Sequence, residues 1–352
     1  MKKKVLVGMS GGVDSAVAAA LLQEQGYDVT GVTLKLWDGE AESGCCSLSD
    51  TEDARFVAQQ LHIPFYVLNF KDLFRKAVVN PFIQAYLSGE TPNPCIACND
   101  HVKFAGMLQK AQELEIDYIS TGHYVRKEVN SENNRFQLKK AADPKKDQSY
   151  VLYNLQQDQL HRTLFPLGGL LKTEVRDIAA RRNLNVAHKR DSQDICFVGE
   201  GHYAEFIEKE SGVLFPIGNF IDEEGRVVGQ HKGLPYYTVG QRKHLGFSFG
   251  ERMVVLAKSM ESNTITVGKE KASFSNTAYV KNINWMKWVV SPESFFCKVR
   301  TRYSGDETDA EVNLIENGAA EIRFLNPKRA ITPGQAAVFY DGDWVIGGGV
   351  IY

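Results

Sequence analysis

The chain has 352 residues, 43% hydrophobic and 24% charged, with a formal net charge of −2. That is the composition of a globular protein with an ample core and room for two or three domains. No apolar run is long enough to cross a bilayer. Met-Lys-Lys-Lys leads into a strand too short for a secretory leader, so a cytoplasmic protein without a membrane partner is expected. A uniformly basic nucleic-acid binder is excluded, yet the charge is uneven. Residues 121–190 hold fourteen Lys and Arg against seven Asp and Glu, whereas 1–120 and 191–352 carry −5 and −4. A localised phosphate-backbone footprint has this form, and so has a solvated lysine-rich loop.

The pattern predicts a strand over 3–9 that runs straight into Ser10-Gly11-Gly12-Val13-Asp14-Ser15. A helix follows over 15–25, with Ala16, Val17, Ala20 and Leu21 as its apolar stripe and Gly26 as its stop. Adjacent glycines let the backbone approach a ligand, and a helix N-terminus behind them offers amide N–H groups to polyphosphate. No lysine follows the glycines, so the loop is not the Gly-Lys-Ser/Thr type. It resembles the loop of the ATP pyrophosphatase superfamily, whose members split ATP between the α and β phosphates.

Further strands are predicted at 29–36, 65–69 and 118–121, and helices at 51–61, 72–87, 103–114 and 173–182. This alternation implies a parallel sheet covered by helices on both faces. Ligands then gather at the carboxyl ends of the strands, where the glycine loop, Leu34 and Gly122-His123 fall together. Beyond residue 200 the pattern turns to short strands and turn glycines. A longer strand-rich stretch begins near 279, with Asp341-Gly342 as a hairpin signal. The expected divisions are 1–200, a small β domain over 201–275, and a β-barrel over 276–352.

Six cysteines in a chain of this size are not a disulfide scaffold. Cys95-Ile96-Ala97-Cys98 is a redox pair, half a zinc site or a coincidence. Cys98 stands a few residues before the helix expected at Lys103, and a helix N-terminus favours thiolate. Cys196, between Ile195 and Phe197, reads alone as a small buried hydrophobe. Cys45-Cys46 reads as inert or as a sulfur relay, and Cys297 as core.

Read in order, the glycine loop, Asn93-Pro94-Cys95-x-x-Cys98-Asn99, Thr121-Gly122-His123-Tyr124 and Lys146-Asp147-Gln148-Ser149-Tyr150 form one series. It continues through Asp191-Ser192-Gln193-Asp194-Ile195-Cys196-Phe197, Tyr237-Thr238-Val239-Gly240-Gln241-Arg242-Lys243, Gly334-Gln335-Ala336 and Gly347-Gly348-Gly349. The series resembles the bacterial tRNA-specific 2-thiouridylase family over essentially the whole chain. The resemblance implies 2-thiolation of the wobble uridine in tRNAs for Lys, Glu and Gln. It places ATP on Gly8, Met9, Ser10, Gly11, Gly12, Val13, Asp14 and Ser15 with Leu34 and Gly122, and Mg²⁺ at the phosphates beside Asp14. It sets Asn93, Pro94 and Cys95 against the target base. His123, Lys146, Asp147, Gln148, Arg302, Tyr303 and Gln335 would touch tRNA. Cys98 would be the nucleophile and Cys196 a persulfide carrier loaded by a cysteine desulfurase or a sulfur-relay protein. Two positions depart from the family. Cys95 stands where some members carry Asp, and His244 where glycine is usual.

The implied chemistry is coherent. Adenylation turns the uracil C2 oxygen into a leaving group, and a Cys196 persulfide supplies sulfur, leaving a Cys98–Cys196 disulfide to be reduced. The alternative is an iron–sulfur cluster on Cys95, Cys98 and Cys196 that binds the donor sulfide. An amide- or lysidine-forming ATP pyrophosphatase, an RNA-binding module and a cysteine-rich redox protein are the competing classes.

Overall fold

The computed structural model describes residues 2–37, 48–189, 195–198, 203–246 and 253–352. Cys45-Cys46 and Asp191 to Asp194 lie outside them. Strand β1 (Lys4–Gly8) is flanked on one side by β2 (Asp28–Lys35) and β3 (Phe65–Asn69). On the other side lie β4 (Tyr118–Ser120) and the two-residue β7 (Thr163–Leu164), introduced here ahead of the hairpin strands β5 and β6. All neighbours in this five-stranded sheet run parallel.

Alternation along β1 divides the core. Val5 and Val7 face a cluster with helix α1 (Val13–Glu24), helix α2 (Leu48–Gln60) and Val175 and Ala179 of the Lys172–Arg181 helix. Leu6 faces the opposite cluster, with Phe104, Met107, Leu108 and Ala111. Period-two burial of this kind is what a strand covered on both faces requires. The strand order reverses about β1, whose neighbours are β2 and β4, so the crevice opens beyond the carboxyl end of β1.

The second half is β-rich, as the sequence implied. β8 (Gly218–Ile221), β9 (Val227–His231), β10 (Met253–Ser259) and β11 (Thr264–Lys269) form a small sheet ordered β10-β11-β8-β9. Its core is Phe220, Leu234, Tyr237, Val255, Ile265 and Val267. Then follow β12 (Phe274–Trp285), β13 (Ser294–Arg300), β14 (Thr308–Leu314), β15 (Ala320–Arg329), β16 (Ala336–Asp341) and β17 (Trp344–Ile351). Pairing of β12 with β17 closes these six into a barrel. Gly342 turns the β16–β17 hairpin at φ +59°. His244 adopts φ +60°, which explains why glycine suits that position.

Two features were not expected. The hairpin β5 (Arg126–Val129) and β6 (Phe136–Lys139) leaves the α/β half and pairs with β17 of the barrel at Lys139 and Trp344. Val338, Tyr340 and Val345 of the barrel in turn share the Leu6 cluster. The second concerns the helix expected from Lys103, which begins nine residues earlier. One helical run covers 94–113, with a π-helical stretch over Cys98–Gly106. Asn93 caps it by accepting from the Cys95 amide at 3.1 Å, and Pro94 takes the first helical position, where a missing N–H costs nothing.

Candidate active site

A cavity of about 600 Å³ opens at the crevice, a size that suits a small-molecule ligand. Gly8, Met9, Ser10, Gly12, Val13, Asp14 and Ser15 form one wall, and Thr121, Gly122, His123 and Tyr124 the facing one. Ser15 Oγ ties the loop by accepting from the Ser10 amide and donating to the Gly12 carbonyl, both at 3.1 Å. Gly12 caps α1 without a side chain, so the first-turn amides are left to a ligand. Gly11 holds φ +72° with the Asp50 carbonyl against it, a place that admits only glycine.

No lysine follows the glycines, but one reaches the loop from another helix. Lys172 Nζ reaches both carboxylate oxygens of Asp14, at 2.7 and 2.8 Å, and the Tyr124 hydroxyl donates to the same carboxylate at 2.6 Å. Sequence reasoning missed both residues. The available signal was a cation at the first position of the 172–181 helix, where the dipole disfavours it unless an acid lies nearby. Lys103, Lys145, Lys146 and Lys189 also line the cavity. Lys189 is held by Asp50 at 2.6 Å and Asp53 at 2.5 Å.

His123 is buried, its Nδ1 2.8 Å from Thr121 Oγ1. Burial, with the Lys103 ammonium adding, pushes its pKa well below the usual imidazole value, so it lines the cavity as a neutral ring. Leu34 and Leu36 close the floor and connect to a second apolar cluster containing Phe74, Val78, Phe82, Val102 and Phe197. Cys98 belongs to that cluster at 6% exposure, and Cys196 packs against it. All four described cysteines are thiols, with Cys95 exposed on the first turn of its helix.

The family described as tRNA methyl transferase HUP domain matches residues 3–200. A PRC-barrel domain of the same description matches 204–269, and an aminomethyltransferase beta-barrel domain matches 275–351. The tRNA-specific 2-thiouridylase MnmA of Clostridium acetobutylicum is 47% identical over all of both chains. Those of Acetivibrio thermocellus and Moorella thermoacetica are each 49% identical, over 99% and 98% of both chains respectively.

This chain belongs to the tRNA-specific 2-thiouridylase family.

Among solved structures, a 4-thiouridine synthetase–RNA complex with bound ATP overlays distantly. Its TM-score is 0.36 at 16% identity, over 59% of this chain and 50% of that one.

For this 2-thiouridylase family member, the expected nucleotide residues other than Gly11 line one cavity. The residues expected at tRNA divide. His123, Lys146, Gln148 and Tyr303 line the cavity. Burial raises the Tyr303 pKa, with the Asp147 carboxylate adding to it. Asp147 faces inward at 7% exposure and accepts from the Ala141 and Ser149 amides, the Ser149 hydroxyl and Arg300. Arg302 donates to the Val239 and Ala330 carbonyls and to Thr332 Oγ1, clamping the middle sheet to the barrel. Gln335 donates to the Thr91 carbonyl at 2.6 Å and so holds the loop before Asn93.

The basic middle is largely spent on internal contacts. Lys140 pairs with Glu307, Arg126 with Asp343 and Lys139 with Glu128. No group of three His, Cys, Asp or Glu side chains among the described residues comes together to hold a metal. Cys95, Cys98 and Cys196 are all described, and they do not form the site that the alternative cluster reading requires. No helix among those residues is long and apolar enough to cross a membrane.

Proposed function

We propose that the protein 2-thiolates the wobble uridine of tRNAs for Lys, Glu and Gln at the expense of ATP. ATP occupies the cavity with its phosphates on the Ser10 to Ser15 loop. AMP is transferred to the uracil C2 oxygen, making it a leaving group, and pyrophosphate departs against the α1 amides. Asp14 would hold Mg²⁺ together with substrate phosphates once Lys172 releases its carboxylate, and the ion would neutralise phosphate charge there. Asn93, Pro94 and Cys95 face the target base. Cys196 carries sulfur as a persulfide, received from a cysteine desulfurase or relay protein. Cys98 attacks the inner sulfur, the S–S bond breaks, and the outer sulfur goes to C2 as AMP leaves. The protein is left with a Cys98–Cys196 disulfide.

The observation that carries this reading is that Cys98 and Cys196 belong to the same apolar cluster. Ninety-eight residues apart in sequence, they join one apolar cluster whose edge, Leu36, also lines the nucleotide cavity. A non-thiolating ATP pyrophosphatase has no use for two thiols in one cluster beside the nucleotide cavity. The test is mass spectrometry of wobble nucleosides from a strain lacking the protein. 2-Thiouridine should vanish there, return with the wild-type protein, and stay absent with Cys98→Ser or Cys196→Ser. Unchanged 2-thiouridine in the deletion strain overturns the assignment.

A further inference from the structure

Cys95 and Cys98 stand one helical turn apart with opposite surroundings. Cys95 is exposed at the second helical position, whereas Cys98 is buried in the cluster against which Cys196 packs. A rise of about 1.5 Å per residue and a radius of about 2.3 Å put helical residues three apart at a Cα separation of about 5 Å. The backbone from Pro94 to Cys98 is helical, so this spacing applies. It falls inside the roughly 4.4–6.8 Å window of a disulfide. The first turn of a helix also favours the thiolate that disulfide exchange requires.

The sulfur transfer above ends in a Cys98–Cys196 disulfide whose Cys98 side is shut among Phe74, Phe82, Val102 and Phe197. An external reductant would have to enter that cluster to attack Sγ of Cys98. We propose that Cys95 is the resolving thiol of the cycle. Its thiolate attacks Sγ of Cys98, the Cys98–Cys196 bond breaks, and Cys196 leaves as a thiolate able to accept the next sulfur. A Cys95–Cys98 disulfide forms at the exposed helix end. This exchange conserves oxidation state. A dithiol reductant then supplies two electrons and two protons at the surface and is itself oxidised to a disulfide. The inference rests on the persulfide reading. It also gives the cysteine at this position a task that the aspartate of other family members cannot perform.

The test uses full-length protein loaded with sulfur by a cysteine desulfurase and cysteine, then freed of excess. It is given tRNA and ATP for one turnover without reductant, trapped with N-ethylmaleimide, and mapped by peptide mass spectrometry. Wild type should yield Cys95–Cys98 with Cys196 alkylated, and Cys95→Ser should yield Cys98–Cys196. With a limiting dithiol protein as reductant, the ratio of steady-state to single-turnover rate should fall at least tenfold in Cys95→Ser. A small phosphine should restore it. Each variant serves as its own reference, so any effect of Cys95 on base binding cancels. Wild-type protein trapped as Cys98–Cys196 with Cys95 alkylated, or an unchanged rate ratio, overturns the resolving role alone. Product formed with no disulfide at all overturns the persulfide reading and this inference with it.

Discussion

Gly122→Ala puts the join between the two walls of the cavity to the test. A Cβ built on Gly122 lies 2.7 Å from the Ser15 amide nitrogen and 2.8 Å from the Asp14 carbonyl carbon. Ordinary van der Waals contact begins at 3.4 Å, so the end of β4 and the start of α1 must part by about 0.7 Å. Both opposing atoms are backbone, in a turn already tied through Ser15 Oγ, and no side chain can swing aside. Overpacking of this kind costs about 1–3 kcal/mol of stability. A displacement near 1 Å at a reacting centre costs on the order of 100-fold in rate, so pyrophosphate release should fall by roughly 30- to 100-fold. The assay is tRNA-dependent pyrophosphate release, with urea unfolding run in parallel. Gly169→Ala is the control, since its Cβ meets nothing within 4 Å. If Gly122→Ala releases pyrophosphate within twofold of wild type, the phosphates do not sit between these walls.

Lys145 and Lys146 both line the cavity mouth, so replacing both with Ala should weaken tRNA binding. It should also reduce the log–log salt slope by between about one and two, read from filter binding across a salt series. An unchanged slope would reduce them to a solvated loop. His123 sets an acid limit on stability. Its folded pKa is depressed, chiefly by burial, so the unfolded chain binds the proton first. Stability should be full above the unfolded value near 6.5. It should then decline as pH falls below that value, by at most about 1.4 kcal/mol per pH unit for this one proton. Urea unfolding from pH 7.5 to 5.5 should therefore be steeper for wild type than for His123→Asn. Parallel curves would show that His123 already takes up its proton in the folded state.

The α/β half was legible because its signals are local. Strand and helix alternate with distinct periods, and the glycine loop lies within six consecutive residues. The start of the 94–113 helix was legible too, in Asn93-Pro94, an N-cap residue followed by the residue best suited to the first position. Other features could not be read from spacing. Lys172 finds Asp14 across 158 residues, and the ion pairs of Lys140 and Arg126 are made with barrel residues more than 160 positions away. Lysines read as a nucleic-acid surface proved partly to be interior fastenings, because charge counts carry no information about which carboxylates the fold brings opposite. The inward turn of Asp147 and the clamp made by Arg302 were hidden for the same reason.

The shared core has a consequence for how the chain comes to be folded. Leu6 and Ile119 of the parallel sheet, with Leu138 and Tyr150, are covered in part by Val338, Tyr340 and Val345. During synthesis the sheet strands emerge about 170 to 330 residues before the segment that covers them. Until 336–345 arrives, the 94–113 helix covers that face only in part, and the β5–β6 hairpin has no barrel strand to join. Contacts of such long sequence separation form slowly and leave intermediates prone to aggregation. A chain interrupted before β16 would thus leave part of its apolar core uncovered, which makes it a better substrate for chaperones and proteases than the whole chain.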